Sequence, residues 1–402
     1  MRWALPAYAM LLVSGSSLYA QNEVALANSE ETRALVEAMM ADAAARTSLR
    51  ASANEGPPPL KIWGFVQFRY TFNHRDETEP PGGDEDTEGF SLNRVRLFFD
   101  SNPFENVSAR VRTTFSRSTG EASLDQAYAT FTLADEYKLR LGQFSLPLFR
   151  DENISAEKQL TVNASTVDEL FNQGTIQGVM LMREWDAVRF WAAFSDGVRS
   201  ANKDFDSDEK SDFAVSTRWE WLIAGDSWSR FDDYTSFRGS TFATTFGAAA
   251  HYETGGRSTE FRDDVDLLYL TADLGIEGDG WNAFLAAVAA NTDDAAGDSF
   301  LDSGYIAQGG FFVTDHTELF GRFDIIVADD DRVERGGNFR TITVGANYYF
   351  FPGSHALKFT TNLIWFLDEE ATSLAPTSTN TGLLPSPEDG QWAIQAQMQV
   401  IF

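Results

Sequence analysis

Four arginines at a spacing of two carry the clearest chemistry: Arg94 and Arg96 flank Val95, and Arg110 and Arg112 flank Val111. Alternate side chains of a strand share a face. Each pair therefore sets two guanidiniums on one side and a run such as Val95, Leu97 and Phe99, or Val107, Ala109 and Val111, on the other. A turn centred on Pro103 would oppose Arg94 to Arg112 and Arg96 to Arg110. Like charges directly opposite one another are destabilising, so the cluster needs counter-charges or a water-filled space with mobile anions. By the same parity Arg69, with Gln67 and Thr71, and Lys138, with Arg140, extend the track. Two chemistries fit it. The track guides and partly filters anions, or its arginines are neutralised by the acids of an inserted loop and only hold that loop.

The candidate inserted loop is Ser145 to Gly174, which carries Arg150 and Lys158 together with Asp151, Glu152, Glu157, Asp168 and Glu169. Long ordered loops are usually functional. Its mixed sign allows the acids, Asp168 and Glu169 among them, to pair with the wall while Arg150 or Lys158 faces a passage; an outward-facing loop is the alternative. Catalysis has little to work with. His74, His251, His316 and His355 show no metal-ligand spacing and read as polar rim residues, and no Ser, His and Asp set groups by strand parity. The absence of cysteine removes thiol chemistry and fits an exported protein without disulfides. Gly255-Gly256 and Gly309-Gly310 lack the strand-to-helix setting of a phosphate loop and read as turn or strand-packing glycines. No enzyme activity, metal or cofactor is expected.

The elements that must position the arginines are strands. Residues 1–20 read as a cleaved signal peptide, with Arg2, an apolar stretch from Trp3 to Val13 and small residues up to Ala20. Residues 21–53, rich in Ala, Glu, Leu and Met, predict a short periplasmic helix, and residues 54–60 a Pro-rich linker. From Lys61 the period changes to two, giving about sixteen segments of nine to fourteen residues, the length a transmembrane strand requires. Short connections such as Gly278 to Asp279 and Asp315 to His316 alternate with longer, acid-rich ones. In the last segment Trp392, Ile394, Ala396, Met398, Val400 and Phe402 share one face, suited to lipid, and Gln391, Gln395, Gln397 and Gln399 the other, suited to water. No later stretch approaches the ~20 apolar residues of a membrane helix, and lipid admits only helices and closed barrels. The fold expected is all-β: a transmembrane antiparallel barrel over residues 61–402, in the outer membrane of a Gram-negative bacterium. Sixty acidic against 31 basic residues, a net charge of −29, exclude nucleic acid as a partner.

The residues also resemble a family, the phosphate-selective porins O and P. The resemblance rests on Gly64-Phe65-Val66-Gln67-Phe68, Asn93-Arg94-Val95-Arg96-Leu97 and Asp125-Gln126-Ala127-Tyr128. Most specific is Leu139-Arg140-Leu141-Gly142-Gln143-Phe144-Ser145-Leu146-Pro147-Leu148, followed at a distance by Phe194-Ser195-Asp196-Gly197. It spans Leu60 to Phe402. It implies a homotrimeric sixteen-stranded channel with inward-folded loops that narrow the pore, set in outer-membrane lipid and lipopolysaccharide, and a signal for the barrel-assembly machinery ending at Phe402. The arginine ladder carries over; phosphate does not, because lysine is scarce and acids dominate the loops. The function expected is passive diffusion of small anionic or neutral hydrophilic solutes. Its rival is a plugged barrel with a structural or adhesion role.

Overall fold

The computed structural model describes residues 60–75, 85–256, 265–294, 297–331, 338–370, 376–385 and 388–402. The expected signal peptide, the helix over 21–53 and all but the last residue of the linker lie outside these. The strands are β1 (Lys61–Arg75), β2 (Glu85–Phe104), β3 (Val107–Phe115), β4 (Ala122–Thr132), β5 (Lys138–Ser145), β6 (Thr175–Glu184), β7 (Val188–Ser195) and β8 (Phe213–Ala224). They continue as β9 (Ala243–Gly256), β10 (Val265–Gly278), β11 (Trp281–Asp293), β12 (Ser299–Phe312), β13 (Thr317–Val327), β14 (Asn338–Tyr349), β15 (Leu357–Phe366) and β16 (Trp392–Ile401).

Every strand pairs antiparallel with its sequence neighbours, and β1 pairs β16 to close a barrel. Closure leaves no unpaired edge, which is what lipid demands of a spanning sheet. The last residue takes part: Gly64 N donates to Phe402 O at 2.8 Å and Phe402 N to Gly64 O at 2.9 Å. Gly64 must be glycine here, since a Cβ would lie 2.5 Å from Arg96 O and 3.2 Å from the Phe402 ring.

Apolar residues dominate the outward face, among them Phe90, Leu92, Val215, Trp219, Leu285, Leu301, Val344 and Trp365, all exposed. The polar alternates point inward, and the last-strand glutamines follow that parity. They are not water-facing, however: Gln395, Gln397 and Gln399 are buried. Gln395 donates to Thr381 O, Gln399 to Glu157 O, and Gln397 accepts from Asn93.

The acceptors of Gln399 and Gln395 belong respectively to the connection between β5 and β6, residues 146–174, and to residues 376–385 between β15 and β16. Backbone carbonyls of the first accept from the inward side chains of eight strands: Gln67, Asn93, Arg218, Thr271, Arg322, Asn347, Lys358 and Gln399. Its apolar residues Leu146, Leu148, Phe149, Leu160, Val167 and Phe171 are buried in one cluster with Phe284, Val288, Ile306, Phe320 and Ile326 of β11–β13. Each fully buried side chain of this size contributes about 1.5–3 kcal/mol. One sector of the barrel is thereby packed like a globular core, and strands such as β11 are apolar on both faces.

The short-turn end has one exception to its pattern. Residues 225–242, between β8 and β9, lie at the end where the other connections are 105–106, 133–137, 185–187, 279–280, 313–316 and 350–356. Trp228, Phe231, Tyr234, Thr235 and Ser236 of this connection are buried.

Candidate functional site

The arginine pairs take the expected face but not the expected register. The turn is Glu105–Asn106, not Pro103, so Arg96 faces Thr114, Phe98 faces Arg112 and Asp100 faces Arg110, while Arg94 pairs with Gln67 on β1. Pro103 sits inside an irregular step of the β2–β3 ladder, between Ser101 and Phe104. Bulges and strand ends are where a residue without an N–H is tolerated.

The four-residue shift in register changes the electrostatics. No two arginines are opposed across the ladder. Arg110 instead makes two bonds to Asp100, at 2.6 and 3.0 Å, and Asp100 also accepts from Trp63 Nε1 at 2.9 Å. The second counter-charge is Asp125 on β4, 2.6 Å from Arg112 and 3.9 Å from Arg96, held by Thr114 at 3.0 Å and Thr175 at 3.2 Å. Counter-charges for these three arginines thus come from neighbouring strands rather than from the 146–174 connection.

Among the described residues Arg94 and Arg140 have no carboxylate partner within ion-pair distance. Arg140 lies over the Tyr128 ring, 4.2 Å from its centroid, and donates to Thr130. Arg94 Nη1 is buried without a hydrogen-bond partner.

A cavity of about 840 Å³ is walled by these residues. Arg94, Arg96, Arg110, Arg112 and Arg140 line one side, and the connection supplies Arg150, Asp151, Glu152, Glu157, Lys158 and Asp168 on the other. Burial raises the Glu152 carboxyl to about 7 and the Asp168 carboxyl well above its usual range. Arg150 leans the other way, 3.7 Å from both Glu220 and Asp273, and donates to Phe231 O at 2.6 Å. Glu169 is outside this wall and accepts from Ser378.

Two residues of the expected track also fall outside it. Arg69 is buried, and its guanidinium donates to Asn93 and to Thr381 O, fixing the 376–385 segment. A Cβ on Gly382 would sit 2.7 Å from that guanidinium, so only glycine lets the segment approach. Lys138 is exposed at the start of β5, beside the short-turn end.

Two histidines are not rim residues. His251 is buried between Ser216 and Glu253, at 2.8 and 3.2 Å, because β8 and β9 pair Ser216 with His251. A serine, histidine and acid do therefore meet, against expectation. The long 225–242 connection had hidden their register. Glu253 is occupied by Val198 N at 2.7 Å, and the trio lines none of the cavities described here, so it ties β8 and β9 to the connection that precedes β8. His355 turns its ring nitrogens inward, out of solvent, with Nε2 3.4 Å from Asp233.

Comparison with known proteins agrees with this architecture. A closed sixteen-stranded barrel, apolar outside and arginine-walled within, defines a membrane channel of the porin class. The model of the family "phosphate-selective porin O and P" matches residues 66–402, and the chain belongs to that family. It is an outer-membrane porin of a Gram-negative bacterium, a channel for small solutes rather than an enzyme. No curated protein matches the chain in sequence.

Solved structures share the fold at low identity. An anion-selective porin from Comamonas acidovorans is 10% identical, with a TM-score of 0.56, 85% of this chain and 99% of that one being covered. The outer membrane channel DcaP of Acinetobacter baumannii is 10% identical, with a TM-score of 0.56 and coverage of 87% and 99%. OmpT of Vibrio cholerae in a trimer form is 11% identical, with a TM-score of 0.58 and coverage of 85% and 99%.

Proposed function

We propose that this porin passes small hydrophilic solutes passively, with a preference for anions set by the arginine wall. The observation that carries this reading is the uneven pairing of that wall. Arg96, Arg110 and Arg112 share two carboxylates, while Arg94 and Arg140, which also line the cavity, have no carboxylate within ion-pair distance among the described residues. A cation without a fixed partner in a low-dielectric wall attracts mobile anions strongly.

In this reading the 146–174 connection folds inward and narrows the channel, as its bonds to eight strands and its buried apolar cluster support. Lys158 and Asp168 then face the arginines across the constriction, Arg150 turns away to Glu220 and Asp273, and Glu169 and Arg69 anchor the 376–385 segment. Three such barrels form a homotrimer in lipid and lipopolysaccharide, and the strand ending at Phe402 addresses the barrel-assembly machinery.

Phosphate is one anion among several here rather than the selected solute. Asp100 already takes two donors of Arg110, Asp125 stands against Arg112 and Arg96, and lysine is scarce. Titrating inorganic phosphate against chloride current through reconstituted protein tests this. Phosphate should depress the current only at concentrations comparable with chloride; block at low phosphate would return phosphate as the specific solute.

The packed sector of β11–β13 favours a second reading, a plugged barrel with a structural or adhesion role. Chloride current in the same bilayers decides against it, and its absence decides for it.

A further inference from the structure

The cavity behind the arginines is one of three in a row. At the long-loop end a cavity of about 350 Å³ shares Arg96, Asp125 and Thr175 with it. At the short-turn end a cavity of about 630 Å³ shares Arg189 and Asp232. This last space opens between the turns 133–137 and 185–187 and the 225–242 connection. Its walls are acidic, with Glu136, Glu184, Asp186 and Asp226 joining Asp232.

The 225–242 connection is built to hold that opening to one side. Trp228 Nε1 donates to Trp185 O at 3.1 Å, tying it to the 185–187 turn. Its far half is fixed across the barrel, where Tyr234 donates to Asp151 at 2.8 Å, Ser236 to Gly278 O at 2.6 Å, and the Tyr349 ring packs on Phe237 at 5.1 Å. Arg189 stands where the two cavities meet. Its guanidinium lies 4.3 Å from the Trp228 ring centroid, 2.9 Å from Glu184 and 3.8 Å from Glu220.

We propose that the passage is eccentric: it leaves the barrel beside the 225–242 connection, through the 630 Å³ cavity, and Arg189 sets charge selectivity at that inner mouth. The proposal rests on the channel reading above. On this path Arg189 is the last cation a solute meets before the acidic vestibule. It keeps an anion-preferring lane from ending at a purely acidic barrier, whose repulsion would otherwise fall on each anion leaving the lane.

The chain has no cysteine, so single-site labelling reads the route directly. Ser229→Cys places a thiol in the wall of the inner cavity, and Ser354→Cys places one in the 350–356 turn at the same end but away from it. After reconstitution, a bulky charged methanethiosulfonate should remove most of the current at Ser229→Cys and leave that of Ser354→Cys unchanged. Full labelling of Ser229→Cys, verified by mass, with undiminished current would overturn the eccentric route whatever the ion selectivity of the wild type. Arg189→Gln should lower the chloride-to-potassium permeability ratio, and Arg189→Lys should restore it. Equal ratios in folded wild type and Arg189→Gln would remove Arg189 from its role without touching the route. A wild type lacking anion preference, with Ser229→Cys still blocked, would instead sink the broader reading alone.

Discussion

Asp125 shows how one carboxylate can organise a row of arginines. Placed between Arg96 and Arg112 and held by two threonines, it lets two arginines share one wall without opposing each other. It also leaves the neighbours Arg94 and Arg140 without a carboxylate at ion-pair distance among the described residues, the basis of the anion preference proposed above. Across the cavity Glu152 is the titratable counterpart. Burial raises it to about 7, and its backbone contact with Gln173 N, at 3.0 Å, only partly opposes that shift. A raised carboxyl is neutral below that pH and charged above it, so lowering the pH from about 8 to about 6 removes a negative charge opposite the arginines. The chloride-to-potassium permeability ratio should rise over that window in the wild type. In Glu152→Gln it should stay near its low-pH value throughout; an unchanged pH profile in that variant would exclude Glu152 as the titrating group.

The 146–174 connection separates the part of the lumen that is core from the part that is wall. Its leucines and phenylalanines fill the sector of β11–β13, and its carboxylates and Arg150 border the arginines. Replacing 150–172 with a short Gly-Ser linker should leave the barrel closed, raise conductance and flatten the pH profile, since the lost contacts lie inside rather than in the ladder. Conductance and thermal unfolding of that variant check both halves of the expectation, and a barrel that no longer closes would contradict it.

Much of this arrangement was legible at the level of the strand. Sixteen segments were readable because a strand with lipid on one side and polar groups on the other writes period two into its residues. The arginines were placed on the correct face for the same reason. Register was harder, because Pro103 sits in a ladder irregularity and looks like a turn, and because the 225–242 connection gives no short turn from which to count. The packed sector had its own signature. In β11 Phe284, Ala286 and Val288 point inward while Leu285, Ala287 and Ala289 point outward, and a strand apolar on both faces is one covered on both faces. Arg69 could not have been separated from the track by parity, because the segment that covers it comes from some 310 residues later in the chain.

For the molecule as a whole, the net charge of −29 and the arginine wall pull in opposite directions. Distance settles which wins. Acids in the loops act through solvent and are screened over about 8 Å at physiological ionic strength, whereas the wall arginines border the cavity itself. The loops should therefore enrich cations at the mouth only in dilute salt, leaving selection to Arg94, Arg140 and their neighbours. The zero-current potential across a KCl gradient at moderate ionic strength reads that selection most directly. The account predicts a potential of the sign set by chloride, moving toward the potassium side when Arg94 and Arg140 are both replaced by alanine. A potassium-selective wild type whose potential is unaltered by the double replacement would contradict it.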